Sequence, residues 1–229
     1  MYAPGRISMK QLFISMATTI VLLAILLVSA GRLDYWQAWS YAAISTIMNL
    51  CMRLILLDAP DVAKERAKPG EGAKGWDKAL LGFGFLLNIV TLVVAGLDSG
   101  RFNWLTRWSL GWFSVGIALT TAGMGIFLLA LKENRYFSAV VRIQTDRGHT
   151  VCTTGPYRVV RHPGYAGMII GTIGLPFLFT SAWSSIPALL SSILLVARTS
   201  LEDVALEKEL LGYRDYQRVT RFRLTPGVW

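Results

Sequence analysis

The sequence predicts an all-α integral membrane protein with about six transmembrane helices. Its mean hydropathy is +0.46. Only 16% of its 229 residues are charged, whereas charged residues make up about a quarter of an ordinary soluble domain. The apolar residues form six runs that polar loops separate. Because the sequence shows neither an internal repeat nor a low-complexity region, we expect a single membrane domain over residues 1–229.

Six apolar runs define the predicted transmembrane helices. They cover residues 11–31, 36–57, 79–97, 109–131, 165–181 and 183–197. The first four reach the ~20 residues that a membrane-spanning helix needs, and the last two are shorter. The first run ends in SAGRLDYWQAW without a strong A-x-A cleavage pattern, so we expect a retained helix and not a signal peptide. Residues 1–131 are therefore predicted to hold four transmembrane helices.

The basic residues predict the orientation of these helices. The N-terminus, the loops at 58–78 and 132–164 and the segment after residue 197 hold nearly all of the Lys and Arg. With six helices, all these segments lie on one side, and the positive-inside rule places that side and both termini in the cytoplasm. The net charge of +9 then reflects topology and contact with anionic membrane lipids. No nucleic-acid partner is expected, because no nucleic-acid-binding motif accompanies the basic residues.

The polar segments carry shorter predicted elements. In the loop at 58–78 we expect a short helix near 61–67, and the loop is either a solvated connector or a lid over a substrate site. The loop at 132–164 is the longest between helices, and loops of this size are usually functional. We expect it to be irregular. The last apolar run should continue as a polar helix up to Gly212, with a second short helix over 213–220.

The last two apolar runs should form a helical hairpin with its turn near residues 181–183. The two ends of a hairpin return to the same depth, so RHPGY at 161–165 and RTSLED at 198–203 should face each other at the cytoplasmic surface. Arg198 and Glu202 lie four residues apart on one helix face. Ionisable groups at membrane depth often mark a functional site.

Structural interpretations of the same residues stay open at this point. Arg198 and Glu202 are also spaced as a plain surface ion pair, and Arg158 and Arg161 are placed as membrane-interface anchors. His162 precedes a proline and is equally suited to a helix start. However, both histidines of the chain lie in one loop, which favours a functional interpretation.

Two other kinds of site are not supported by the motifs. His149, Cys152 and His162 do not have the usual spacing of metal ligands, so no metal is expected. The glycines in GFG at 82–84 and GMG at 123–125 do not form the G-x-G-x-x-G pattern between a strand and a helix that binds dinucleotides. Since both lie inside apolar runs, we interpret them as small residues that let helices pack closely.

Three motifs carry a resemblance to a known family. They are HTVCTTGPYRVVRHPGYAG at 149–167, RTSLEDVALEKELLGYRDYQRV at 198–219 and RLTPGVW at 223–229. In order and spacing they resemble the isoprenylcysteine carboxyl methyltransferase family of integral membrane methyltransferases, which is related to the phospholipid N-methyltransferases. The loop at 60–78 resembles the prokaryotic branch more weakly, and the resemblance implies a prokaryotic cytoplasmic membrane.

The resemblance implies S-adenosylmethionine as cofactor, in a cytoplasm-facing pocket within a cofactor-binding and catalytic portion at 132–229. It implies Arg198 and Glu202 as the catalytic residues, with Arg198 facing the acceptor. The role of Asp203, where many members have a second glutamate, is left open. The residues implied to bind the cofactor are Gln144, His149, Thr150, Val151, Cys152, Tyr157, His162, Pro163, Gly164, Tyr165 and Glu202.

The predicted function is methyl transfer to a lipophilic or small hydrophobic acceptor at the cytoplasmic face, including carboxyl O-methylation of isoprenylcysteine-like substrates. Tyr157 and Tyr165 offer π faces to the cationic donor. For a carboxylate acceptor, Arg198 would be the orienting fork. The alternative is a non-catalytic membrane binding protein or small transporter with a basic face that docks on headgroups. The acceptor's reacting group and the oligomeric state are open.

Overall fold

A computed structural model describes residues 9–104 and 110–229, with side chains from residue 14 onward. Residues 1–8 of the predicted basic N-terminus and residue 109 of the fourth apolar run lie outside the described residues. The described residues form eight α-helices and no β-strand. The helices are α1 (Met9–Ala30), α2 (Trp36–Leu57), α3 (Pro60–Ala67), α4 (Gly75–Ala95), α5 (Leu110–Glu133), α6 (Pro163–Leu178), α7 (Ser185–Glu209) and α8 (Tyr213–Val219).

Several of these helices suit a membrane. Three are long and apolar enough to cross one: Trp36–Leu57, Leu110–Glu133 and Gly75–Phe102, the last being α4 with the π-helical segment Gly96–Phe102 that continues it. Shorter apolar helices are Ile14–Ala30 and Pro163–Leu178. The protein is therefore an integral membrane protein with several candidate helical spans, which confirms the predicted class. The number of six spans and their orientation stay predictions.

The predicted hairpin and the elements after it are present. α6 begins at Pro163, a position where proline loses no helical hydrogen bond, and it is joined to α7 by residues 179–184. α7 runs beyond the apolar stretch as far as Glu209. Gly212 follows with φ +83°, a left-handed conformation that favours glycine, and α8 then covers Tyr213–Val219.

α5 and α6 pack through a seam of small residues. A Cβ on Gly123 of α5 would lie 2.4 Å from the backbone nitrogen of Gly171 and 2.5 Å from the carbonyl oxygen of Gly167, both on α6. A Cβ on Gly116 would lie 2.1 Å from the backbone nitrogen of Leu178. Because backbone atoms cannot give way, only glycine permits this approach. The packing interpretation of GMG is thus confirmed for Gly123.

The same interpretation is wrong for three other glycines. Within the described part of the chain, a Cβ on Gly82, Gly84 or Gly125 would meet no heavy atom within 4 Å. These glycines face away from the neighbouring helices, so close helix packing does not explain them. The GFG motif at 82–84 has no structural explanation in the described fold.

The two long polar loops contact each other at one end of the helix bundle. Arg142 and Glu65 of α3 form an ion pair of 2.7 Å, with their side chains only 3% and 4% exposed. The backbone nitrogen of Lys74 donates a hydrogen bond to the Val141 carbonyl at 3.0 Å. The loop after α5 is irregular, as predicted, with 3₁₀ turns at Thr145–Arg147 and Gly155–Arg158. The segment at 58–78 is therefore a packed part of the structure rather than a purely solvated connector.

Candidate functional site

A cavity of about 260 Å³ lies at this end of the bundle. Its wall combines Arg66 from α3, Leu81 from α4, Phe127 from α5, Tyr165 and Met168 from α6, Glu202 and Leu206 from α7, and Tyr213 from α8 with the irregular loop between α5 and α6. The helix ends and the loop at 134–162 therefore meet around one space. The polar groups of the lining come mainly from the loop and from the helix ends, whereas apolar side chains such as Leu81 and Met168 come from within the helices.

The cavity gathers nearly all of the residues that the sequence pointed to. Pro163, the first residue of α6, is the exception and is not among the lining residues. Their functional roles stay predictions. The predicted site residues that line the cavity are Gln144, His149, Thr150, Val151, Cys152, Tyr157, His162, Gly164, Tyr165, Arg198 and Glu202.

Glu202 is the single carboxylate in the cavity wall among the described residues. The hydroxyl of Tyr165 donates a hydrogen bond to its Oε2 atom at 2.5 Å. The Tyr165 ring in turn lies against the His162 ring, with 5.9 Å between centroids, and below the Arg198 guanidinium at 5.1 Å. Tyr165 therefore holds Glu202 in place, and its own ring is already occupied by these neighbours.

Arg198 is bound by Asp77 of α4. Its Nε atom donates to Asp77 Oδ1 at 2.6 Å, and Nη2 donates to Oδ2 at 3.2 Å and to the Ala139 carbonyl at 3.0 Å. The backbone N–H of Val141 also donates to Asp77 at 2.8 Å. The interpretation of Arg198 and Glu202 as a surface ion pair is wrong, because Asp77, which is 0% exposed, takes the guanidinium instead.

Asp203 is the centre of a buried polar cluster. Arg161 donates to its two oxygens at 2.8 and 2.9 Å, the Tyr213 hydroxyl donates at 2.7 Å, and Arg223 donates at 2.8 Å. The Nε2 atom of His162 lies 3.1 Å away. Burial alone would raise the pKa of this carboxyl, but the hydrogen bonds from His162, Arg161 and Arg223 outweigh it and hold the pKa far below its usual range. The role of Asp203, which the sequence left open, is therefore to bind Arg161, Tyr213 and Arg223 in a buried cluster.

This cluster binds the C-terminal segment to the loop that precedes α6. The backbone nitrogens of Arg161 and His162 donate to the carbonyls of Phe222 and Arg223, each at 2.9 Å. The Arg161 side chain adds hydrogen bonds to the Thr220 and Arg221 carbonyls. The interpretation of Arg161 as a membrane anchor is therefore wrong, since it is only 8% exposed. Its neighbour Arg158 is exposed and keeps that interpretation.

His149 is held as a neutral imidazole. Its Nδ1 atom accepts a hydrogen bond from the Gln144 backbone N–H at 3.3 Å, and its ring stacks on Tyr136 at 4.5 Å. Burial, with the charges of Arg142 and Arg147, lowers its pKa to about 4. The Gln144 side chain donates to the Tyr136 carbonyl at 2.7 Å and accepts from Arg147. Gln144 therefore shapes the loop that carries His149.

Tyr157 joins the loop to the C-terminal helix. The Tyr216 hydroxyl donates to the Tyr157 carbonyl at 2.6 Å, and Asn134 donates to the Tyr157 hydroxyl at 3.3 Å. With Tyr213, Leu210 and others these residues form a buried aromatic cluster beside the cavity. Sequence reasoning did not identify Asp77, Glu65 or Arg142. Their only signal was the presence of charged residues in the two long polar loops.

Comparison with known proteins adds to this geometry. Residues 115–208 match the model of the isoprenylcysteine carboxyl methyltransferase (ICMT) family. This segment is therefore similar to the ICMT family. The predicted resemblance is thereby confirmed for the stretch from α5 to the end of α7, which contains most of the cavity wall. The loop at 60–78 and the segment 209–229 lie outside the match.

Curated relatives cover only part of the chain. A probable protein-S-isoprenylcysteine O-methyltransferase of Oryza sativa subsp. indica is 35% identical over 78 residues, or 33% of this chain and 41% of the relative. The nickel-cobalt-cadmium resistance protein NccN of Alcaligenes xylosoxydans xylosoxydans is 29% identical over 134 residues, 58% of this chain and 59% of the relative. Protein-S-isoprenylcysteine O-methyltransferase A of Arabidopsis thaliana is 25% identical over 101 residues, 44% of this chain and 48% of the relative. The chain thus spans about half the length of these ICMT-family and resistance proteins.

Proposed function

We propose that the protein is an S-adenosylmethionine-dependent methyltransferase that methylates a lipophilic or small hydrophobic acceptor at the cytoplasmic face of the membrane. The observation that carries this proposal is the cavity lined largely by residues 115–208, the segment that matches the ICMT model, in which Tyr165 holds Glu202 by a hydrogen bond. A carboxyl O-methylation of isoprenylcysteine-like acceptors is the specific form that the family suggests.

The chemistry of the lining fits this cofactor. S-adenosylmethionine presents a methyl group on a cationic sulfur, and its amino-acid part carries an ammonium and a carboxylate. Glu202 offers a negative charge to the cationic groups, and Tyr157 adds an aromatic face. Thr150 and Val151 belong to an irregular loop, so their backbone groups are available to polar parts of a ligand. Because the ring of Tyr165 already contacts His162 and Arg198, we assign it to positioning Glu202.

The remaining residues would act through positioning and exclusion of water. Methyl transfer is an in-line displacement, and its rate depends strongly on orientation and desolvation of the reacting groups. The loop at 134–152 and Tyr213 and Tyr216 of α8 border the cavity on one side. Apolar side chains from the helices, including Leu81 and Met168, border it on the other. This arrangement suits a polar donor and an apolar acceptor.

We further propose six membrane-spanning helices with the cavity facing the cytoplasm. The support is that α3, the loop at 134–162 and α8 carry many basic residues and all contribute to the wall of the cavity. The positive-inside rule assigns such a side to the cytoplasm.

The name of the relative NccN refers to metal resistance. In the ranges that the structure describes, no group of three or more His, Cys, Asp or Glu side chains could hold a metal ion. Since no metal-ligating cluster supports a metal-binding function, the proposal is built on the cavity.

The proposal is tested by binding of radiolabelled S-adenosylmethionine to the detergent-purified protein. Glu202→Gln should abolish most binding, whereas the matched change Glu71→Gln at an exposed position should leave it unchanged. Incubation of the wild type with a membrane lipid extract and a deuteriomethyl-labelled donor should then yield one labelled species by mass spectrometry. A wild type that does not bind the donor would refute the proposal. Binding without any labelled product would favour the non-catalytic alternative.

A further inference from the structure

Arg66 on α3 is the arginine in the cavity wall that has no carboxylate partner among the described residues. Its guanidinium lies 5.4 Å from the centre of the Phe137 ring and 5.9 Å from that of Phe127. The other arginines of the wall are all neutralised: Arg142 by Glu65, Arg161 by Asp203 and Arg198 by Asp77. Among the described residues, the guanidinium of Arg66 is therefore the arginine charge of the cavity wall that no carboxylate neutralises.

The position of Arg66 is costly for a cation. Burial lowers its pKa, yet an arginine remains charged at neutral pH. A charge that is partly removed from water without a counter-ion is unfavourable, and the contacts with the two aromatic rings offset only part of this. Groups in such positions occur preferentially at functional sites. A ligand anion would remove the imbalance.

The aromatic pair connects Arg66 to the part of the cavity that contains Glu202. Phe127 and Phe137 meet edge to face, with 5.3 Å between centroids. The Phe137 ring also lies against Gly164, where an added Cβ would be 2.9 Å from it. Gly164 precedes Tyr165, the residue that holds Glu202. The guanidinium of Arg66 is thus separated from the start of α6 by a single aromatic side chain.

The surroundings of Arg66 also indicate the kind of group that it would bind. Phe127 and Phe137 flank it, and apolar Leu81 and Met168 line the same cavity. A ligand that fits these walls has an acidic head and an apolar body. Arg198, which the sequence pointed to as the fork for an acidic acceptor, already has its guanidinium on Asp77.

We infer that Arg66, together with Phe127 and Phe137, forms the subsite that binds the carboxylate of an amphiphilic methyl acceptor. This inference rests on the proposed methyltransferase function, and it makes Arg66 the specificity-determining residue for an acidic acceptor. Arg198 is then a positioning residue that holds α7 against α4 and the loop.

The test compares the binding of two probes of equal length, dodecanoate and dodecanamide. Each is titrated calorimetrically into the protein in lipid nanodiscs, and empty nanodiscs serve as the blank. The wild type should bind dodecanoate more tightly than dodecanamide. Arg66→Gln should weaken dodecanoate roughly tenfold or more, as expected for the loss of a charge-assisted hydrogen bond, and leave dodecanamide unchanged. Arg66→Lys should restore part of the preference. Lys64→Gln, at an exposed position of the same helix, is the matched control.

Binding of S-adenosylmethionine to the same samples separates the two proposals. Retained donor binding by Arg66→Gln shows that the variant is folded and that Arg66 acts on the acceptor side. If the wild type binds the donor but does not prefer dodecanoate, or binds neither probe, the acceptor subsite is overturned and the methyltransferase proposal stands. If dodecanoate binding depends on Arg66 but the donor does not bind, the anion site stands and its assignment to a methyl acceptor is overturned.

Discussion

Asp77 and Arg198 are 121 residues apart in the sequence, yet the Nε atom of Arg198 lies 2.6 Å from Oδ1 of Asp77. Glu202, one turn further along α7, is bonded by Tyr165 instead. The pair joins the start of α4 to α7, and both partners also bind the loop backbone, through Ala139 and Val141. One ion pair thereby fixes two helices and one wall of the cavity.

Asp77→Asn should destabilise the protein strongly. It leaves the Arg198 guanidinium buried without a counter-ion, and breaking a buried pair costs about 3–5 kcal/mol. Thermal unfolding in detergent measures the change, with Lys78→Ala at the adjacent exposed position as control. Because an apolar replacement of both partners removes the unpaired charge, Asp77→Leu combined with Arg198→Met should recover part of the loss. A midpoint for Asp77→Asn equal to that of the wild type would contradict this account.

Asp203→Asn should loosen the attachment of the C-terminal segment to Arg161 and His162. The change weakens the hydrogen bonds from Arg161 and Arg223, so the amides of Arg161 and His162, which donate to residues 222 and 223, should exchange faster with solvent. Hydrogen–deuterium exchange with mass spectrometry would show faster uptake in peptides covering 157–165. The exposed Asp215 provides a control in Asp215→Asn. Equal protection in both variants would count against the fastening role.

The neutral state of His149 predicts a pH dependence of stability. Its folded pKa is about 4, whereas that of an unfolded histidine is about 6.5. Between these values the unfolded chain binds a proton that the folded chain does not, so this group makes stability fall as the pH is lowered from about 6.5 to about 4. In His149→Gln that part of the decrease should be missing. The test is to measure the unfolding midpoints of the wild type and of His149→Gln between pH 6.5 and pH 4. Any contribution from His162 is the same in both proteins and cancels in the comparison. Parallel curves of midpoint against pH would exclude a contribution from His149.

The helix seam gives a prediction with a control on the same helix. Gly123→Ala places a Cβ 2.4 Å from the backbone nitrogen of Gly171, so α5 and α6 must separate, at a cost of about 1–3 kcal/mol. Gly125→Ala meets no described heavy atom within 4 Å and should be neutral or raise stability by up to about 1 kcal/mol, because alanine favours a helix. Thermal unfolding in detergent compares the two variants. Similar losses of thermal stability in the two variants would mean that the close approach of α5 and α6 does not cause the loss.

Local patterns in the sequence predicted the helices well. The long helices follow runs of apolar residues, and end signals such as Pro163 at the start of α6 and Gly212 after α7 mark their limits. The hairpin argument also placed 161–165 near 198–203, because antiparallel helices return to the same depth. The lining of one cavity by His162, Tyr165 and Glu202 follows from that geometry.

The choice of partners within the site could not be predicted in the same way. The spacing on α7 suggested a pair of Arg198 and Glu202, but in the fold Arg198 is paired with Asp77. Asp77 belongs to the predicted loop at 58–78, which the sequence left open as a solvated connector or a lid. In the same way, the sequence suggested Arg161 as a membrane anchor and left the role of Asp203 open. In the fold the two residues form a buried ion pair. Whether a charged side chain is buried depends on which distant segment packs over it. The local sequence pattern around the charge does not contain that information.

The proposed topology predicts which surface positions can be reached from each side of the membrane. In a background in which Cys51 and Cys152 are replaced by serine, a cysteine at the exposed position Phe102 should react with a membrane-impermeant maleimide added to intact cells. A cysteine at Glu71, exposed beside α3, should react only after the membrane is opened. The reason is that the basic loop at 58–78 belongs to the cytoplasmic side, whereas the π-helical segment at the end of α4 belongs to the opposite side. Labelling of both after lysis controls for reactivity, and the reverse pattern in intact cells would refute the orientation and the cytoplasmic site.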